Sequence, residues 1–141
     1  MTATGTAALQ SRNNSLDAYS NLVLEWLGWE LKAEAESCLM DRLAMLNDIL
    51  SQNPNDAFAR YGLAMEYSKA GEVERALEEF GKLLSTHPDY TAGYFMAAQT
   101  LVTANRADEA KKMLVDGISS ARRTGNSHAQ SEMTAMLDEL K

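Results

Sequence analysis

The chain has 141 residues, enough for one domain with a buried core, and its 13 Lys and Arg against 20 Asp and Glu give a net charge of −7. This charge would repel a phosphate backbone, which argues against a nucleic-acid partner. The single cysteine, Cys38, excludes an internal disulfide and a zinc site built on cysteine pairs. The sequence shows neither a secretory signal nor an apolar stretch of membrane-spanning length. We therefore expect a cytoplasmic protein that does not act on a membrane.

The N-terminal third contains one polar segment and two helical patterns. Residues 1–15 are small and polar, and we predict that they form a disordered leader. Six apolar side chains then recur at helical spacing: Leu16, Tyr19, Val23, Trp26, Leu27 and Leu31. From Met40 to Ser51 a second helix is predicted, because Leu43, Leu46, Ile49 and Leu50 lie on one side of it.

Two blocks downstream of Pro54 repeat with a period of 34 residues. Pro54 and Pro88 stand 34 positions apart, each before a similar apolar block. The same shift pairs Tyr61 with Phe95, Ala64 with Ala98, Tyr67 with Leu101, Gly71 with Asn105, Ala76 with Ala110, Phe80 with Leu114 and Leu84 with Ile118. Because small residues pair with small and large with large, the two blocks are expected to have the same structure.

The blocks predict two helix pairs, with helices at 56–69, 73–85, 90–104 and 107–122. The four paired alanines are expected where two helices approach closely. Gly71 and Asn105 tolerate a positive φ, as the residue after a helix often requires. Asn55 or Asp56 is expected to cap the first helix, and Asp89 the third.

The last predicted element is a helix over 127–140. Ser127 and Gln130 have the spacing of a capping box. Five apolar residues follow on one face of the helix: Ala129, Met133, Met136, Leu137 and Leu140. One apolar and one polar face are what the terminal helix of a stacked repeat protein needs.

The period and the residues at fixed positions resemble the tetratricopeptide-repeat (TPR) family. The first unit carries Leu63, Ala64, Tyr67, Ala76, Phe80 and Pro88 at the family's spacing, and the second carries Tyr94, Ala97, Ala98, Leu101, Ala110 and Leu114. Arg60 stands where the family has tryptophan, with Tyr61 beside it, and Arg122 replaces the second closing proline. The resemblance implies an all-α, α-α superhelix (a TPR solenoid) within residues 16–141, with repeats at 57–90 and 91–124 and a capping helix at 127–140.

Two interpretations of the first 39 residues stay open. Trp26 stands 34 positions before Arg60, where a preceding repeat would have its tryptophan, but Glu30 occupies the small-residue position. The segment is therefore either a degenerate repeat or upstream translation before a native start at Met40.

The resemblance also implies a binding surface on the concave groove formed by the first helix of each pair. The residues expected to line it are Phe58, Tyr61, Met65, Ser68, Lys69, Ala92, Phe95, Gln99, Val102 and Thr103. For Tyr61 and Phe95, packing against neighbouring helices is the alternative. Some relatives hold a partner's C-terminal carboxylate with Lys, Asn and Arg, and the corresponding positions here are mostly apolar.

No group of residues has the spacing of a catalytic, cofactor or metal site. His87 and His128 have no second ligand nearby in sequence, and Cys38 has no neighbouring histidine. We therefore predict a non-enzymatic module, without cofactor, that binds a peptide or helix of a protein partner. The alternative is a structural homodimer in which the exposed ends of the solenoid associate.

Overall fold

The computed structural model describes the backbone of residues 3–141 and the side chains of Glu25 and residues 27–141. All regular structure in that part of the chain is α-helical, which confirms the predicted all-α class. Six helices follow one another: α1 (Ala3–Gln52), α2 (Ala57–Lys69), α3 (Val73–Thr86), α4 (Thr91–Thr103), α5 (Ala107–Thr124) and α6 (Ser127–Glu139). The chain divides into two compact units, Met1–Asp41 and Arg42–Lys141.

The helix α1 differs from the expectation for the N-terminus. It begins at Ala3, so the backbone from Ala3 to residue 15 is helical where we predicted a disordered leader. Alanine, leucine and glutamine favour a helix, and no proline interrupts the chain before Pro54. Met1 and Thr2 lie outside the described residues, and the assignment of 1–15 as a separate leader stays a prediction.

Of the two interpretations of residues 1–39, the described residues bear on only one, the degenerate repeat. The side chain of Trp26, on which the degenerate repeat depended, lies outside the described residues. Trp29 is described, and 72% of its surface is exposed. A full repeat needs a turn between two antiparallel helices, whereas α1 continues without a turn through Cys38. The helix expected over Met40–Ser51 is confirmed as the last part of α1.

The second unit contains the predicted helix pairs, and their observed ends lie within two residues of the predicted ones. Asp56 caps α2, as expected, by accepting a hydrogen bond of 2.7 Å from the amide of Ala59. The expected cap at Asp89 is wrong, because its carboxylate instead accepts a bond of 2.9 Å from Arg123. At α6 the capping side chain is that of Asn126 rather than Ser127.

The residues paired by the 34-residue shift have the structural roles that the shift predicted. Ala64, Ala76, Ala98 and Ala110 are fully buried. Gly71 has φ of 77° and Asn105 has φ of 60°, so both adopt the left-handed conformation directly after a helix pair's first member. The repeated pattern therefore describes repeated helix packing.

The core of the second unit consists of clusters between successive helices. Phe80 and Leu83 of α3 are buried against Ala64 of α2 and Ala97 of α4. Farther along, α4, α5 and α6 meet at a second cluster of buried side chains: Ala98, Leu114, Ala121 and Met133. Helices α2, α4 and α6 thus form one layer, and α3 and α5 form the other.

The position where the family has tryptophan makes the same kind of contact in both units. Arg60 donates a hydrogen bond of 2.6 Å to the carbonyl of Pro54, and Tyr94, 34 positions later, donates one of 3.1 Å to the carbonyl of Pro88. Arg60 also forms an ion pair of 2.7 Å with the nearly buried Glu79 of α3. A polar contact with the repeat's proline carbonyl therefore stands in place of an indole ring.

Candidate binding cleft

A cleft of about 390 Å³ lies between α2 and α4, and we call it the α2–α4 cleft. Its lining combines two methionines, hydroxyl and amide side chains, one lysine and small residues of the turns. The residues are Met65, Ser68, Lys69, Gly71, Val73, Met96, Gln99, Thr100, Thr103 and Ala104. Methionine side chains adapt their shape easily, so this lining can contact apolar groups of differing form.

Five of the residues expected on the binding surface line this cleft, and five do not. Those that line it are Met65, Ser68, Lys69, Gln99 and Thr103. Phe58 is 77% exposed near the start of α2, and Ala92 is exposed near the start of α4, away from the cleft. Val102 is half-buried on α4 and does not line the cleft either.

Tyr61 and Phe95 pack against the core. The ring of Tyr61 lies 6.3 Å from that of Phe80 and 5.4 Å from that of Tyr90, measured between centroids. Burial raises the pKa of Tyr61 above its ordinary value of 10.0, and the Tyr90 hydroxyl adds to this. Phe95 is half-buried against the cluster of α4, α5 and α6.

Met96 and Thr100 line the cleft but were absent from the expected set. Both lie on the face of α4 that also carries Thr103, with spacings of four and three residues. Their spacing from Thr103 could have identified them in the sequence. The Thr100 hydroxyl lies 2.8 Å from that of Ser68, so α2 and α4 are joined by a hydrogen bond within the lining.

The charge at the cleft is confined to one end of α2. Lys69 is exposed, and its ammonium group lies 3.4 Å from the carboxylate of Glu66. That carboxylate is nearly buried and also accepts a bond of 3.2 Å from Arg42. The acid is thus neutralised within the protein, and the cleft presents a mostly uncharged surface with one cation at its edge.

The described part of the chain shows no arrangement of side chains suited to a metal ion. Among its residues, no group of three or more His, Cys, Asp and Glu side chains is placed to hold a metal ion. Across the same part of the chain, no helix combines the length and the apolar character needed to cross a membrane.

Comparison with known proteins agrees with the repeat. The family described as Tetratricopeptide repeat matches residues 67–131. A TPR repeat-containing protein of Pseudomonas aeruginosa is 30% identical over 95 residues, which cover 67% of this chain and 90% of the relative. The chain belongs to the tetratricopeptide-repeat family.

Solved structures share the fold. A tetratricopeptide repeat domain protein from Salinibacter ruber is 32% identical, with a TM-score of 0.59 over 63% of this chain and 90% of the other. PcrH, solved in complex with the chaperone binding region of PopD, is 15% identical, with a TM-score of 0.67 over 86% of this chain and 92% of the other. At that identity the likeness to PcrH concerns the fold alone.

Proposed function

We propose that this TPR protein is a non-catalytic interaction module that binds a segment of a partner polypeptide in the α2–α4 cleft. The single observation that carries the proposal is the cleft itself, in which side chains from the first helices of two successive repeats converge. Stacked repeats commonly present such surfaces to partners.

The chemistry of the lining suits a peptide. Met65 and Met96 offer apolar contact to a partner's side chain, while Gln99 is exposed and carries an amide that can both donate to and accept from a peptide backbone. The structure of PcrH with a region of PopD is an example of this fold in complex with a polypeptide segment.

The experiment that tests the proposal selects short peptides from a random displayed library and maps the tightest one by amide chemical shifts. We expect the largest shifts at the α2–α4 cleft. Met65→Ala combined with Gln99→Ala should weaken binding by about tenfold or more, as truncation of central contact residues does. The matched control is Val115→Ala with Ser119→Ala, an apolar and a polar truncation on the outer face of α5 that should leave binding unchanged.

Phe58→Ala serves as a second marker, because Phe58 is exposed but lies outside the cleft. If this variant alone abolishes binding, the site extends toward the start of α2. If the control pair weakens binding as much as the cleft pair, the α2–α4 cleft is not the site.

A second candidate function, self-association, is favoured by exposed apolar side chains on α1. Six of the eight large exposed hydrophobic residues of the described chain lie on that helix: Leu27, Trp29, Leu31, Met40, Met45 and Ile49. Leu27 and Leu31 lie four residues apart on one face of α1, as do Met45 and Ile49, and an exposed apolar face of this kind marks an interaction site. A solution mass that doubles with concentration, and returns to that of a monomer in Leu27→Glu with Leu31→Glu, would support a homodimer.

A further inference from the structure

A second and larger cleft, of about 680 Å³, lies in the other layer of helices, between α3 and α5. We call it the α3–α5 cleft. Its apolar lining is formed by Leu77, Leu101 and Met113, and it shares no lining residue with the α2–α4 cleft. The two surfaces can therefore be altered separately.

The charged residues around the α3–α5 cleft are predominantly acidic. Four carboxylates and two cations line it, which leaves a net charge of −2: Glu74, Glu78, Glu109 and Asp116 against Arg106 and Lys112. A negatively charged lining within a chain of net charge −7 attracts positively charged partners and repels acidic ones.

Arg106 is already occupied within the protein. Its guanidinium group bonds to Glu74 of α3 at 2.6 Å and to Glu109 of α5 at 2.7 Å, so it joins the two helices. Its hydrogen bonds hold the pKa of Glu109 below its ordinary value of 4.5. Arg106 is therefore not available to neutralise the rest of the lining.

The remaining acids, Glu78 and Asp116, are both exposed. Glu78 forms an ion pair of 2.7 Å with Lys82, which lowers the pKa of this carboxylate, so a basic side chain of a partner has to share or replace that contact. Lys112 is the remaining cation of the lining. The cleft thus combines an apolar base with two exposed acids, one on each of its helices.

We infer that the α3–α5 cleft binds a basic amphipathic segment of a partner polypeptide. Apolar side chains of the segment contact Leu77 and Met113, and its Lys or Arg side chains lie against Glu78 and Asp116. The apolar base accounts for affinity, and the acids select basic partners over acidic ones. This site is independent of the α2–α4 cleft.

The test uses two synthetic peptides with the same leucine face, one flanked by lysines and the other by glutamates, added to the full chain. We expect the lysine peptide to bind at least about tenfold more tightly, with amide shifts concentrated on α3 and α5. Glu78→Lys with Asp116→Lys should reverse the preference. Thermal melting of each variant verifies that it is folded.

The matched control is Glu132→Lys with Glu139→Lys, which changes the net charge equally but places both changes on the exposed face of α6. This control should retain the preference for the lysine peptide. The inference is overturned if the two peptides bind equally, if the control reverses the preference as well, or if the shifts fall on the α2–α4 cleft. The last outcome would leave the proposed function standing while removing the second site.

Discussion

Among the described glycines, Gly117 leaves the least room for an added Cβ atom. A Cβ atom built on it would lie 2.5 Å from Sδ of Met133 on α6 and 2.7 Å from Cβ of Tyr94 on α4. Met133 is fully buried, and the Tyr94 hydroxyl is bonded to the carbonyl of Pro88. Neither neighbour can therefore move away easily, so Gly117→Ala should force α5 away from both helices.

The expected magnitude is the difference between two effects. Replacing a glycine inside a helix with alanine stabilises the helix by about 1 kcal/mol. Overpacking of a dense core costs about 1–3 kcal/mol, and the Tyr94 contact, close to the backbone, places this site at the upper end. Gly117→Ala should therefore lower the free energy of unfolding by about 2 kcal/mol.

The chain supplies a matched control in Gly81. It also lies inside a helix, α3, but it is exposed, and a Cβ there would meet no atom within 4 Å. Gly81→Ala should therefore raise the free energy of unfolding by about 0.5–1 kcal/mol. The same substitution is thus expected to act in opposite directions at the two positions.

Urea unfolding followed by far-ultraviolet circular dichroism measures both changes, with the slope against urea verifying that the unfolding transition is unchanged. If Gly117→Ala is as stable as the parent while Gly81→Ala is stabilised, the packing of α5 against α4 and α6 is not as described.

Three further predictions concern the core and the ionisable groups. Ala98→Arg should lower the free energy of unfolding by about 3 kcal/mol or more, measured by urea unfolding, because it overpacks a fully buried site and buries a charge. Arg60→Ala should cost about 2 kcal/mol in the same assay, because Glu79 loses its partner and the carbonyl of Pro54 loses its donor; a change near zero would contradict these contacts. Burial raises the pKa of Tyr61, Tyr90 and Tyr94 above 10.0. Their contribution to the free energy of unfolding is therefore complete below pH 10.0 and is lost as the pH rises through the raised pKa values. The absorbance of tyrosinate should rise at a higher pH in the native protein than in the protein unfolded in urea. Identical pH titrations of the native and the unfolded protein would refute the prediction.

The sequence alone was sufficient for the helix pairs and the small-residue contacts between them. Ala64 and Ala98 were assigned to the core, and Gly71 and Asn105 to positive φ, and the structure confirms all four. These features could be predicted because helix periodicity and turn conformation are local properties, and because the second unit repeated the signal of the first.

The binding surface was predicted only in part. Helical spacing shows on which face of a helix a residue lies, but it does not show which part of that face contacts the next repeat. Met65 and Gln99 line the α2–α4 cleft. Phe58 is on the same helix as Met65, but it lies outside the cleft. Which part of a helix faces the next repeat depends on how the two helices cross, and the sequence does not specify that angle.

Only the tertiary structure decided the contacts between residues distant in sequence. Aspartate is a residue type that often caps a helix, yet Asp89 pairs with Arg123, 34 positions later. Arg60 reaches Glu79 on the neighbouring helix, and Gly117 is required because α4 and α6 converge on it. The sequence specifies which backbone conformations each residue tolerates. The packing of three helices determines which side chains lie next to it. Because protein interiors are closely packed, the tertiary contacts prevail where the two conflict.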